Sequence, residues 1–463
     1  MKVRLLTSAV ALATAMSGVQ ANAADHRSAP LVNDLGGRVS FEKVFEDEED
    51  TFRTYNNADP QVLTDVLNRD TKSDDIQFGD FRVWGNADVA EKFKLFFEFE
   101  ANTATDDIDI LEMFIQTTCL NDVTIGLGQE RLKFGAGQIR RAHNSSNLAA
   151  STVTEQLLGA YGLDQHMLNI SASGNINNMF YWHTAIGDNP GASRNEDETH
   201  FIAGAPTPDI QNEDDERHSS LIWTARGSYA GGNDDLRWQA GGGIAWIQGS
   251  EDKDSQIAAN GDRATRDIED DGFALNLDGA LTGKGWGVLA EIAIAETENE
   301  NTRRDVQGAF GAADTFFHSD SETDIKGGSL QGMFNFSGAS YNHTNGEVNG
   351  IVRDPNNWIH EIGGVIITSE RETDGSSVTG VLSTGINGDA VKTKQDIESD
   401  TIAFFYNAYK GNVRYGVEVG VTDTETTNKT DGQFSPFNNN ANSDSENGYL
   451  LFRGEYLFGA NRL

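Results

Sequence analysis

The sequence predicts an all-β fold: a transmembrane antiparallel β-barrel of about sixteen strands, with eighteen as the open alternative and long acidic loops outside. Three observations predict it. The chain opens on an export signal, and no later run reaches the roughly 18 apolar residues of a spanning helix. Period-two alternation recurs from Gly36 to the end. The connections between alternating segments sort by length, short with short and long with long.

At the N-terminus, Lys2 and Arg4 precede the apolar stretch Leu5 to Met16, and Ala21-Asn22-Ala23 supplies a small-x-small cleavage pattern. Residues 1–23 therefore read as a cleaved signal peptide and 24–463 as the barrel. The strands are expected near 36–46, 76–87, 91–102, 108–118, 123–134, 165–174, 177–187, 218–230, 235–248, 272–282, 285–297, 325–336, 339–346, 400–410, 412–423 and 446–459. The alternation is clean in several. Phe93, Leu95, Phe97 and Phe99 interleave with Lys94, Phe96, Glu98 and Glu100. Trp286, Val288, Ala290, Ile292 and Ile294 interleave with Gly287, Leu289, Glu291, Ala293 and Ala295. Val413, Tyr415, Val417, Val419 and Val421 interleave with Arg414, Gly416, Glu418, Gly420 and Thr422.

Short turns fall at 87–91, 119–122, 174–176, 231–235, 282–284, Ser337-Gly338 and Gly411, and they alternate with long polar loops. With the N-terminus in the periplasm, every short turn lies on that side and nearly every long loop outside, as in bacterial outer-membrane barrels. A soluble sandwich has no reason to sort its turns this way. An even-stranded closed sheet also leaves no unpaired edge in lipid. The stretch 347–400 is open: 363–368 and 378–383 form either a hairpin within one external loop or two further spanning strands. Aromatic residues near strand ends (Trp84, Tyr181, Trp182, Tyr229, Trp286, Trp358, Tyr409, Tyr449, Tyr456) fit interfacial girdles.

Composition agrees. There are 49 Gly and 7 Pro, and mean hydropathy is −0.48, because only alternate strand residues meet lipid. The single Cys119 excludes a disulfide framework and reads as a turn residue. Net charge is −37, and loss of Lys2 and Arg4 takes it to −39, which argues against a nucleic-acid partner. No nucleophile elbow, zinc-type His spacing or phosphate loop is present, so no enzymatic role and no cofactor are expected.

If the apolar alternates face lipid, the other set faces the lumen. Arg38, Glu42, Arg82, Lys94, Glu98, Glu100, Glu112, Arg226, Arg237, Asp278, Glu291, Arg414, Glu418, Arg453 and Glu455 then point inward. A charged residue on the lipid face costs about 2–4 kcal/mol at the midplane for Arg or Lys. With the first and last strands paired, Arg38, Arg82, Arg414 and Arg453 fall on four neighbouring staves. They form either a basic wall or neutralised pairs with Glu42, Glu418 and Glu455. The densest basic cluster, Arg131, Lys133, Arg140, Arg141 and His143, lies at the start of the loop after the fifth strand. Runs at 46–50, 212–216, 251–254, 268–271 and 319–324 are strongly acidic. They suit divalent cations or simple solvation, and none has the spacing of a dedicated metal loop.

Several segments resemble Gram-negative porins, nearest the phosphate-selective porin family. These are Phe97-Glu98-Phe99-Glu100-Ala101-Asn102, Met113-Phe114-Ile115-Gln116, Gly126-Leu127-Gly128-Gln129-Glu130-Arg131-Leu132-Lys133-Phe134-Gly135, and the closing strand Gly448 to Phe458. The chain departs from that family in ending five residues beyond its last aromatic, and in lacking dense lysine ladders. The resemblance implies passive diffusion of small hydrophilic solutes or ions through a water-filled channel. It further implies an outer-membrane homotrimer in contact with lipid and lipopolysaccharide. The third external loop, 136–164, would fold inward and place Arg131, Lys133, Arg140, Arg141 and His143 at a pore constriction. A barrel-anchored surface protein with a filled lumen and acidic binding loops is the alternative.

Overall fold

The computed structural model describes residues 34–56, 59–90, 92–102, 107–119, 123–136, 166–177, 179–188, 221–233, 235–248, 252–257, 263–306, 315–344, 347–381, 386–387, 391–431 and 440–459. In chain order its strands are β1 (Asp34–Asn56), β2 (Asp59–Ala90), β3 (Phe93–Asn102), β4 (Asp107–Cys119), β5 (Val123–Arg131), β6 (His166–Ile176), β7 (Phe180–Asp188), β8 (Leu221–Gly232), β9 (Leu236–Gln248) and β10 (Asp252–Ile257). There follow β11 (Arg263–Gly283), β12 (Trp286–Val306), β13 (Thr315–Asn335), β14 (Tyr341–Thr344), β15 (Glu347–Ile351), β16 (Ile359–Val381), β17 (Ile386–Asn387), β18 (Val391–Lys410), β19 (Val413–Asp431) and β20 (Asn440–Gly459).

The main sheet has eighteen strands, of which β10 and β17 are short additions beside β11 and β16; the other sixteen form the wall. Each wall strand pairs antiparallel with the next. The ring closes where β20 returns to β1, from Gly36 opposite Gly459 to Tyr55 opposite Asn440. Closure satisfies the strand backbone internally, which a lipid environment requires.

The two faces follow from the alternation. On β12, Trp286, Val288, Ile292 and Ile294 are exposed outward, whereas Leu289, Glu291, Ala293 and Ala295 are buried inward. From Trp286 to Ile294 the strand rises about 27 Å at ~3.4 Å per residue. A tilt of ~40° brings this to about 21 Å, close to the ~25 Å apolar band of outer-membrane barrels. Tyr229 against Trp238 (5.4 Å between rings) and Trp358 against Tyr415 (6.0 Å) mark the short-turn rim of that band, with Trp286, Phe334 and Tyr456 also exposed there. Of the aromatics expected in girdles, Trp84, Tyr181 and Tyr409 are buried on the inward face instead.

Bulges move the pattern where it is needed. Between Glu98 and Phe99 the β3–β4 register slips, so Phe97 faces Met113 but Phe99 faces Ile110. Odd-numbered and even-numbered apolar residues of β4 thereby reach the same outward face. At the other rim the strands run on past the apolar band. The acidic runs 46–50, 268–271 and 319–324 lie in β1, β11 and β13 rather than in loops, and most of 251–254 lies in β10. The run 212–216 lies outside the described residues.

One expected strand is not in the wall. Of the segment 339–346, Tyr341–Thr344 form β14 of the β14–β15 hairpin, a separate two-stranded sheet, and Ser337-Gly338 is not a tight turn between staves. The wall strand in its place is β16, which spans the stretch 363–368 and part of 378–383; β18 follows from Val391. The total of sixteen survives by this exchange. The physical reason is visible in both segments. Residues 339–346 carry no apolar set to face lipid. Val365-Ile366-Ile367 is apolar on both faces, because inward Val365 and Ile367 pack in a lumenal cluster rather than against water.

Candidate functional site

Two chain segments enter the lumen, one from each rim. After β5 the backbone leaves the wall, and residues 132–136 cross toward the far side, burying Leu132 and Phe134. Arg226 Nη1 on β8 donates to the Phe134 carbonyl (3.2 Å), and the Ala136 amide donates to Glu291 Oε1 on β12 (3.2 Å). A Cβ on Gly243 of β9 would collide with the Phe134 carbonyl oxygen, so only glycine lets the segment lie this close.

From the short-turn rim, residues 339–344 and 347–351 of the connection between β13 and β16 fold back inside. The Val348 amide donates to Gln239 Oε1 on β9 (3.2 Å), and Thr282 on β11 bonds His343 Nε2 (2.7 Å). Tyr341 Oη donates to Glu361 Oε1 on β16 (2.9 Å), while Glu361 Oε2 accepts from Tyr409 Oη (2.9 Å) and Asn407 Nδ2 (3.2 Å) of β18. Arg353 reaches Glu455 on β20 (3.4 Å). Apolar contacts of Val348 and Ile351 with Ala280, Leu289, Met333, Ile359, Phe405 and Tyr409 complete the seat. At its exit the Asp354 carboxylate accepts from Asn357 Nδ2 (2.8 Å) and the Asn356 amide (2.7 Å). The Asn357 hydrogen bond chiefly holds this carboxyl below the usual range, helped by those amides and Lys410.

Both inserts lie against the wall from β8 round to β20. In that sector most inward charges are closed off from water, Arg414, Glu418 and Glu361 each being 0 % exposed, while Arg237 stays exposed near the short-turn end of β9. The sector from β20 through β1 to β5 is different. Arg82 keeps 26 % of its side chain exposed and Lys133 28 %, with Glu42, Glu100, Arg453 and Gln116 also partly open. Here the charges face one another. Arg453 Nε donates to Glu42 (2.7 Å), and Arg82 lies 3.0 Å from Glu100 and 3.7 Å from Glu98. At the buried seam Arg38 approaches Glu455 (3.6 Å), and in the sealed sector Arg414 Nε donates to Asn407 Oδ1 (3.0 Å). Arg38, Arg82 and Arg453 thus meet carboxylates, and the wall is a ladder of pairs rather than a bare basic strip.

Across β3, β4 and β5 three buried carboxylates face the lumen. Glu98 lies opposite Glu112 in register, and Glu130 follows on β5. Lys133 bonds Glu130 Oε1, and Ser171 Oγ donates to Glu130 Oε2 (2.9 Å). Arg131 ends β5 opposite His166, on the register face of Gln129 and Leu127; Leu127 is exposed outward. Arg140, Arg141, His143 and the rest of 137–164 lie outside the described residues. The expected wall residues Arg38, Arg82, Glu98, Glu100, Glu112, Arg414 and Arg453 lie on staves β1–β4, β19 and β20.

Glu130, Gln239, Asn276, Arg353 and Glu361 are site residues that sequence reasoning missed. Glu130 was findable, since it alternates with outward Ile125 and Leu127. Glu361 and Arg353 were not, because nothing local marks an insert from the short-turn side.

No family model matches the sequence, and no curated protein matches it at a significant level. Among solved structures, the chain is similar to outer-membrane OmpT of Vibrio cholerae at 13 % identity and TM-score 0.39, over 91 % of this chain and 98 % of that one. It is similar to an anion-selective porin from Comamonas acidovorans at 12 % identity and TM-score 0.37, covering 92 % and 98 %. It is also similar to Pseudomonas putida OprB at 9 % identity and TM-score 0.36, covering 91 % and 94 %. The barrel stands on its own strand pairings and not on these likenesses.

Proposed function

We propose that this barrel is a porin-type channel of a Gram-negative outer membrane, passing small hydrophilic solutes or ions by passive diffusion. The observation that carries the reading is the asymmetry of the lumen. One sector is sealed by two inserts, while the β20–β5 sector keeps paired charges in partial contact with water. Facing Arg, Lys and Glu side chains set a transverse field at close range, which is how charge-lined pores select solutes. The short-turn rim belongs in the periplasm and the extended acidic strands outside, among lipopolysaccharide. Residues 132–136 already lie in the lumen, which supports an inward third loop near 136–164. Lys133, Arg140, Arg141 and His143 would then border the narrowest part, with Arg131 standing at the strand end on the register face of outward Leu127, and three barrels would assemble as a trimer.

Planar-bilayer recording of the purified barrel tests the channel reading, and a reversal potential under a salt gradient tests the loop. Local loop charge outweighs distant acids screened over about 8 Å at physiological salt. Mild anion preference is therefore expected, and Arg140→Ala with Arg141→Ala should move the reversal potential toward cations. An unchanged potential and conductance would remove those residues from the pore lining.

A further inference from the structure

The two lumenal inserts converge on one buried polar cluster. Arg226 Nη1 of β8 forms a 2.6 Å ion pair with Asp278 Oδ2 of β11, the side chains being 0 % and 2 % exposed. Toward the long-strand side, the same Nη1 donates to the Phe134 carbonyl (3.2 Å) and approaches Asn276 Oδ1 (3.5 Å). Asn276 Nδ2 donates to Glu291 Oε1 (2.8 Å), which also accepts the Ala136 amide (3.2 Å). Toward the short-turn side, Asp278 Oδ1 accepts from Gln239 Nε2 (2.9 Å), and Gln239 Oε1 accepts the Val348 amide (3.2 Å). An unbroken chain of polar contacts thus joins the backbone of one insert to the backbone of the other.

The local sequence is built to admit this arrangement. A Cβ on Gly241 would lie 2.8 Å from Arg226 Nη2 and 2.9 Å from Asp278 Oδ1, and one on Gly243 would strike the Phe134 carbonyl. Gly241 and Gly243 therefore leave the space that the ion pair and the first insert occupy.

We propose that Arg226, Asp278, Gln239, Asn276 and Glu291 are positioning residues: a shared clasp that fastens both inserts and couples their seats. Each insert contributes a backbone group to a network whose charged centre is removed from water. In such a network, loss of one member leaves its buried partners unsatisfied and weakens the remaining bonds. Release at one insert is thereby transmitted to the other. The consequence for solute passage rests on the channel reading; the mechanical coupling does not.

The test uses Val348→Cys as a reporter in a Cys119→Ser background, since Val348 is buried in the hairpin insert. Maleimide labelling of the refolded barrel in detergent reports release of that insert. Gln239→Leu removes its direct seat and should speed labelling at least about tenfold. Glu291→Leu, which touches only the opposite insert and Asn276 among these contacts, should speed labelling of the same reporter by a comparable factor. Glu291→Gln, which keeps an acceptor, should restore slow labelling. Heat-modifiable migration confirms that each variant is a folded barrel. Should Glu291→Leu fail to fold, Asn276→Ser cuts the same link and gives the same readout. If the far-side variants leave labelling at the parental rate while Gln239→Leu raises it, the inserts are seated independently and the proposal is overturned. No current is needed for this measurement, so a non-conducting barrel would remove the channel reading and leave the clasp to be judged on labelling alone.

Discussion

Replacing Arg226 with Met isolates the energetics of the buried clasp. Both side chains of the Arg226–Asp278 pair are withdrawn from solvent, so no screening discount applies. Removing one partner of such a pair costs about 3–5 kcal/mol, because the other charge stays buried and uncompensated. Arg226→Met also forfeits a charged hydrogen bond to the Phe134 carbonyl, worth about 1.5–3 kcal/mol. Asp278→Leu alone should cost a similar 3–5 kcal/mol by leaving the guanidinium unpaired. The double variant removes both charges, and apolar replacements of like volume in such sites are often neutral. Its cost should therefore fall well below the sum of the singles, with a coupling of at least about 3 kcal/mol, roughly two powers of ten in the folding equilibrium. Urea unfolding of the barrel in lipid vesicles, followed by tryptophan fluorescence, supplies the four stabilities. Additive single costs would show that the two charges do not share one buried site, and the argument from burial would fail.

Gly243→Val should displace residues 132–136, because its side chain meets the Phe134 carbonyl; overpacking of this kind costs about 1–3 kcal/mol, and unitary conductance should change while the barrel stays folded. On the outward face, Glu296 lies opposite Asp324, Glu298 opposite Glu322, Glu370 opposite Glu398, and Asp423 opposite both Asp400 and Glu446. Like charges in register repel, so millimolar Mg²⁺ or Ca²⁺ should raise the melting temperature by a few degrees, and chelation at fixed ionic strength should lower it; no change would reject the idea. Partial desolvation, together with Asp324, Glu296 and Glu298, pushes the Glu322 carboxyl above its ordinary range. A raised carboxyl pKa favours the protonated folded state, so without divalent ions stability should rise as pH falls from neutral toward that raised value, which a melting series reads directly.

The wall was legible because lipid imposes a strict rule on alternate residues. Trp286 to Ile294 and Tyr415 to Val421 could be assigned to the outward face from sequence alone, and the inward charges followed by parity. The inserts were less legible, because lumenal packing obeys no period. The stretch 363–368 is open in the sequence between a loop hairpin and a stave because its inward Val365 and Ile367 pack with Leu132 and Phe134 of the first insert, which no period in the sequence announces. Residues 339–346 read as a strand although they lack an apolar set for lipid, and Tyr341 is buried inside on the hairpin instead. The seam was legible in outline: pairing the first and last strands brings Arg38 to Glu455 across more than 400 residues, whereas the choice between a basic wall and neutralised pairs needed the side chains.

Accessibility from within an open channel tests the central claim, that solutes move along the β20–β5 sector and not past the inserts. In a Cys119→Ser background, Gln116→Cys places a thiol on the partly open inward face of β4, and Thr401→Cys places one on the sealed face of β18. A charged thiol reagent applied during planar-bilayer recording should step the unitary conductance down for Gln116→Cys and leave Thr401→Cys unchanged. Absence of conductance, or modification of current only through Thr401→Cys, would contradict the account.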